Sequence, residues 1–350
     1  MSSPPKAASP KGVSPRALSP QNTGAVVQGP LEVDDADDAA DSIYGDGESD
    51  TTSISSSIFK FREENGRTYH AYKAGAYFMP NDPTETNRLD LQHNLCILSQ
   101  ENRLFTAPIS ADKPPKRVLD AGTGTGIWAI EFADQFPESA VVGVDLSPIQ
   151  PDFVPPNVEF FVDDLEEDWT YHSPFDFIYM RLLTGSILNW PKLFGQAFKN
   201  LNPGGYIELY DTLNPLTSDD GTLPADSAIL KWNRLLVEAS QKINRPLDSL
   251  IKYKEQLTDA GFVNIVESRF KWPMNTWPKD PHHKLCGAWT HENFLQGVQG
   301  VSLMLFTSVL GWSKEEIEIL LIDVRKDVKN RQIHAYWPVH VVYAQKPEAS

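Results

Sequence analysis

Gly122, Gly124 and Gly126 fall at alternate positions directly after the apolar run Val118-Leu119-Asp120-Ala121, and Asp145 ends a second apolar run from Val141 to Val144. A third run, Val158 to Val162, leads into Asp163-Asp164-Leu165. Glycine has no Cβ, so a turn built on it reaches positive φ and lets a ligand come close to the backbone. The helix that follows such a turn opens with N–H groups that have no intrahelical partner. A carboxylate at the end of the neighbouring strand can accept hydrogen bonds from both hydroxyls of a ribose. Together these residues describe a cradle for a ligand that carries a nucleoside.

The glycine spacing separates two such ligands. A dinucleotide fingerprint, G-x-G-x-x-G, would place its third glycine where this chain has Ile127; here the spacing is G-x-G-x-G and ends at Gly126. That favours S-adenosylmethionine over NAD. Asp163 and Asp164 point the same way, because a methyltransferase would set such a pair against the adenine amino group. The expected cofactor-binding set is Asp120, Gly122, Thr123, Gly124, Gly126, Asp145, Leu146, Asp163, Asp164, Leu165 and, on the next strand, Met180. The competing reading is an ordinary strand-to-helix turn with Asp145 as a helix cap. The ordered succession of strands and acidic ends argues against it.

A sulfonium is already an activated methyl donor, so catalysis is mainly alignment of the acceptor. A base is needed only if the acceptor arrives protonated. His70 is the candidate base, and it shares the segment Tyr69 to Tyr77 with a second candidate, Tyr77. Arg181 is a third candidate, at the end of the run Phe177 to Arg181, where Tyr179, Met180 and Arg181 flank the expected methyl position. For the Tyr69 to Tyr77 segment, aromatic packing under a helix is an equal reading, and strand alternation assigns every second residue of 177–181 to the core. No metal is expected: Cys96 and Cys286, with His282, His283 and His291, match no familiar ligand spacing.

The elements needed to position these residues follow from the patterning. Strands are expected at Arg117–Ala121, Val141–Val144, Val158–Val162, Phe175–Met180, Tyr206–Tyr210, Phe262–Arg269 and Val339–Ala344. Helices are expected over Gly126–Gln135, near Leu193–Leu201, across Ala225–Ala260 and over Glu292–Leu310. Alternating strands and helices specify a parallel, doubly wound α/β sheet that binds its ligand at the strands' carboxyl ends. Asp82-Pro83-Thr84-Glu85 reads as a helix start. Residues 1–57 are Ser/Pro-rich and then acidic, with too little apolar surface to offset the entropy of ordering, and read as a disordered tail. A helical cap, 58–112, then precedes the catalytic domain at 113–350, which carries a helical insertion near 271–335 where substrate selectivity is expected to reside.

The 350 residues bear a net charge of −16, which argues against direct nucleic-acid binding, since that rests on Lys and Arg neutralising phosphates. No apolar run reaches the length of a membrane span, and the N-terminus has no secretory signal. The expected location is cytoplasm or nucleus.

Several strings resemble the fungal LaeA-like methyltransferases, a branch of the class I S-adenosylmethionine-dependent enzymes: Asn65 to His70, Pro80-Asn81-Asp82, Arg88-Leu89-Asp90, Val118 to Trp128, Asp145 to Pro151, Pro155 to Val158 and Asn202 to Gly205. The resemblance implies a Rossmann-like, mostly parallel sheet with an antiparallel last strand, and an S-adenosylmethionine site. It implies either a small-molecule or protein methyl acceptor in secondary metabolism, or a regulatory subunit of a velvet-type complex with a protein partner.

Overall fold

A computed structural model of the chain describes residues 24–34, 61–64, 66–73 and 78–349. Strands β1 (Arg62–Glu64) and β2 (Arg67–Tyr69) form a small antiparallel hairpin, followed by helix α1 (Pro83–Ser99). Asp82 caps α1 by accepting from the Glu85 N–H, with Pro83 in the first turn. The cap segment thus opens with a hairpin ahead of the helix. Glu208, fully buried on a later strand, accepts from the N–H groups of Thr106 and Ala107 and ties the end of the cap segment to the sheet.

The central unit alternates strongly: β3 (Arg117–Ala121), α2 (Ile127–Gln135), β4 (Ala140–Asp145), β5 (Val158–Val162), β6 (Phe175–Arg181), α3 (Trp190–Asn200) and β7 (Leu201–Thr212). After the short β8 (Thr217–Ser218) come α4 (Ala228–Lys242), a 3-10 turn at Ser249–Lys252, α5 (Tyr253–Asp259), β9 (Val263–Pro273), α6 (Pro281–Ser308), α7 (Lys314–Lys329) and β10 (Ala335–Gln345). The sheet runs β5-β4-β3-β6-β7-β10-β8, with β9 paired to β10. The first five strands of that order are parallel, and β10 enters antiparallel between β7 and β9. This is the doubly wound sheet with an antiparallel last strand that the sequence leads one to expect.

Two elements differ from the sequence reading. The helical stretch Ala225–Ala260 is broken, because Asn244 takes φ 56° and closes α4, the Arg245 N–H donating back to Ser240 O, just before Pro246. Helix α6 begins well before Glu292, at Pro281, because Asp280 caps it by accepting from His283 N–H. Residues 24–34, expected within a disordered tail, lie along the edge strand β9 and then along the segment that follows it. Gln28 N–H donates to Arg269 O at 3.1 Å, Lys279 N–H to Glu32 O at 2.7 Å, and Asp34 N–H to Trp277 O at 2.8 Å. An edge strand offers unpaired backbone groups to an extended segment, and this one is covered by the chain itself. The remainder of the expected tail lies outside the described residues.

Alternation along β6 divides the core. Ile178 and Met180 pack on the α3 side, while Phe177 and Tyr179 pack against α2, where Trp128 stacks on Tyr179 with centroids 3.9 Å apart.

Candidate active site

The loop between β3 and α2 carries the site. Its backbone folds back on the neighbouring strand, the Gly122 and Thr123 N–H groups donating to Val144 O at 2.8 and 2.9 Å. Asp145 Oδ2 accepts from the Gly124 N–H at 2.8 Å, and Oδ1 accepts from the Ser147 N–H at 3.0 Å. Each carboxylate oxygen keeps a further lone pair for another donor. Gln150 Nε2 donates to Gly124 O at 2.6 Å, so the Gly124 peptide is held from both sides. Burial outweighs the hydrogen bonds from Ser147 and Gly124 and raises the Asp145 pKa.

Two of the loop glycines serve different purposes. At Gly124, with φ +58°, a Cβ would meet only Leu89 Cδ1, at 3.8 Å, and would otherwise project into open space. At Gly126, with φ +82°, it would sit 2.3 Å from the Phe160 ring. Gly124 therefore opens onto a cavity, and Gly126 lets the loop pack on β5.

That cavity, about 330 Å³, is of ligand-site size and lies over the strands' carboxyl ends. Of the residues expected to hold a cofactor, Gly122, Thr123, Gly124, Asp145, Leu146, Asp163, Asp164 and Leu165 line it. Three do not. Asp120 is buried behind the loop, its Oδ2 accepting from Thr123 Oγ1 at 2.6 Å, and desolvation raises its pKa to about 6. Gly126 faces Phe160, and Met180 is buried in the core beside α3.

The catalytic candidates separate in the same way. Arg181 lines the cavity. His70 does not: it is buried with Nε2 set 3.1 Å from Lys73 O, and its pKa is lowered by burial. Its ring is set against the turn that follows β2, away from the cavity lining. Tyr77 lies outside the described residues, and Tyr179 is core.

Sequence reasoning missed the contribution of α1. Glu85, Arg88, Leu89, Gln92 and His93 recur at helical spacing and form one wall of the cavity. Arg88 donates to Glu85 at 2.6 Å and to Asn293 on α6 at 2.7 Å, all three buried. His93 is enclosed between α1 and α2, and burial drives its pKa down to about 4, with the charge of Arg181 adding to the effect. The Asp82 helix start was the available signal; the facing partner on α6 was not visible from spacing. The insertion and its flanks add Trp272, Phe294 and Trp337 to the lining, with Trp232 from α4. Among the described residues, no group of three or more His, Cys, Asp or Glu side chains is placed to hold a metal ion, and no helix is long and apolar enough to cross a membrane.

A mostly parallel sheet that β10 enters antiparallel between β7 and β9, a G-x-G-x-G loop after β3 and an acidic residue, Asp145, at the end of β4 define a class I methyltransferase. The sequence family described as Methyltransferase domain matches residues 91–267. The chain is 45% identical to methyltransferase pytC of Aspergillus terreus over 86% of its own length and 93% of that protein. It is 37% identical to the protein-methionine methyltransferase laeA of Emericella nidulans, with 82% and 77% covered. To the secondary metabolism regulator laeA of Aspergillus fumigatus it is 36% identical, again over 82% and 77%. The chain belongs to the fungal LaeA-like methyltransferase family.

Proposed function

We propose that this methyltransferase binds S-adenosylmethionine in the cavity above the β3–α2 loop and transfers its methyl group to a small organic acceptor of fungal secondary metabolism. The observation that carries the cofactor assignment is Gly124. Its missing side chain leaves space that opens onto the cavity, and its N–H is fixed by Asp145, whose remaining lone pairs suit a ribose diol. When bound, the sulfonium supplies an activated methyl group. Asp145 orients the ribose, Asp163 and Asp164 stand at the adenine edge, and the fixed loop peptide sets the depth of binding. Leu146 and Leu165 give the adenine apolar neighbours.

The acceptor side follows from the aromatic part of the lining. Trp232, Trp272, Phe294 and Trp337 form an aromatic lobe of the same cavity, which suits an apolar small molecule whose alignment supplies the rate. Calorimetry with S-adenosylmethionine on the wild type and Asp145→Ala, with NAD as control, tests the donor. Micromolar binding lost in the variant supports the reading, and absence of wild-type binding sinks it.

A second reading rests on relatives named as secondary metabolism regulators: the chain acts, in cytoplasm or nucleus, through a protein partner or a protein acceptor. Its mark would be a cellular phenotype that survives the Asp145→Ala change while methyl transfer is lost.

A further inference from the structure

Asp145 stands one residue beyond Val144, and Arg181 one residue beyond Met180; Val144 and Met180 are the two cross-sheet partners of Ala121. The two side chains therefore bracket the Gly122–Gly126 loop at one level, separated by two strand spacings, about 10 Å. Both line the same cavity.

Arg181 is half-buried and, among the described residues, has no hydrogen-bond or ion-pair partner. Other cations at the cavity are satisfied. Arg88 is held by Glu85 and Asn293, and Arg245 pairs with Glu166 at 3.1 Å. The nearest carboxylates on the loop side are engaged elsewhere, Asp120 by Thr123 Oγ1 and Asp90 by Thr125 Oγ1 at 2.7 Å. A guanidinium withdrawn from water without a partner is unfavourable, and a planar oxyanion would satisfy it with two parallel hydrogen bonds.

We propose that Arg181 is the seat of the α-carboxylate of the methyl donor. This rests on the S-adenosylmethionine reading above. A ligand whose diol meets Asp145 carries its amino-acid end across the loop toward Arg181, so one residue on each flank of β3 fixes one end of the ligand. Arg181 is then a binding residue of the donor, with no role as acid or base.

The experiment is calorimetry with two ligands, S-adenosylhomocysteine and 5′-methylthioadenosine. The second keeps the adenine, diol and thioether and has no amino-acid group. Arg181→Met should weaken S-adenosylhomocysteine by about 10- to 100-fold, the range for hydrogen bonds to a charged group, and leave methylthioadenosine within about twofold. Arg181→Lys, which keeps the charge and loses the fork, should fall between. A thermal shift by methylthioadenosine reports that each variant is folded. Unchanged S-adenosylhomocysteine affinity in Arg181→Met would overturn the proposal and assign Arg181 to an acidic acceptor. Equal loss of both ligands would also overturn it, leaving Arg181 as a support of the loop. If the wild type bound neither ligand, the donor reading itself would fall, and this inference with it.

Discussion

The Gly124 N–H donates to Asp145 Oδ2 at 2.8 Å, so the carboxylate expected to read the ligand also holds the loop that receives it. Asp145→Ala removes both functions. It leaves the Gly124 and Ser147 N–H groups without their acceptor, which costs about 1–3 kcal/mol for each group that water cannot reach. We expect the variant to lose at least about 100-fold in S-adenosylhomocysteine affinity, the effect of two lost hydrogen bonds to a charged group, and to unfold at lower urea. Calorimetry and a denaturant titration read the two effects separately.

The loop glycines should fail in different ways. Alanine at Gly124 meets only the strain of a left-handed residue, about 1–2 kcal/mol, but its methyl group enters the cavity. Alanine at Gly126 adds the Phe160 clash, for a total of about 2–5 kcal/mol. Gly124→Ala should therefore stay folded and lose ligand, while Gly126→Ala should lose stability first. A melting curve with and without S-adenosylhomocysteine distinguishes them; equal melting temperatures for the two variants would contradict the packing role of Gly126.

Asp211 makes a pH prediction. It is buried and accepts from the Thr184 N–H at 3.0 Å and from Tyr253 Oη at 2.8 Å, yet desolvation dominates and raises its pKa to about 7. An acid whose folded pKa lies above its unfolded value adds stability that is complete below about pH 4 and lost as pH rises toward 7. The span from the ordinary carboxyl value corresponds to roughly 4 kcal/mol at most. Asp211→Asn should flatten the decline, so that its stability relative to wild type improves between pH 5 and pH 7.5. Urea unfolding at those two values measures it, and parallel pH profiles would rule the coupling out.

The sheet and the loop were legible because their signals are local. Apolar runs give the strands, alternate glycines give the turn, and a carboxylate at a strand end needs no distant partner to be noticed. Met180 and Asp120 were assigned to the ligand because sequence shows that a residue sits at a strand's end and does not show which face it takes. Met180 shares the α3 face with Ile178 and is core, whereas Arg181, one step on, lines the cavity. The wall formed by Arg88 and Asn293 joins residues far apart in the chain, and only the packing of α1 on α6 brings them together. Close approach there depends on Gly297, where a Cβ would lie 2.9 Å from Arg88 Cδ.

Composition misjudged residues 24–34, because low apolar content speaks to burial and not to backbone pairing. This segment gains its order from an edge strand and from charge: Asp34 pairs with Lys284 and with Arg331, the latter at 3.3 Å, and Glu32 pairs with Lys279 at 3.2 Å. Removing residues 1–34 should bare the β9 edge and take away the Asp34 partner of two cations. Taking the loss as roughly 2 kcal/mol, at about 2–4 °C per kcal/mol for a domain of this size, the melting temperature should fall by about 4–8 °C. The bared edge should also promote self-association with rising concentration, as unpaired strands do. Asp34→Ala, which keeps the backbone pairing, should lower the melting temperature by less and leave the chain monodisperse in light scattering. If the truncated chain melted with the full chain, the segment would carry no stability, and its hydrogen bonds to β9 would be no stronger than those water offers.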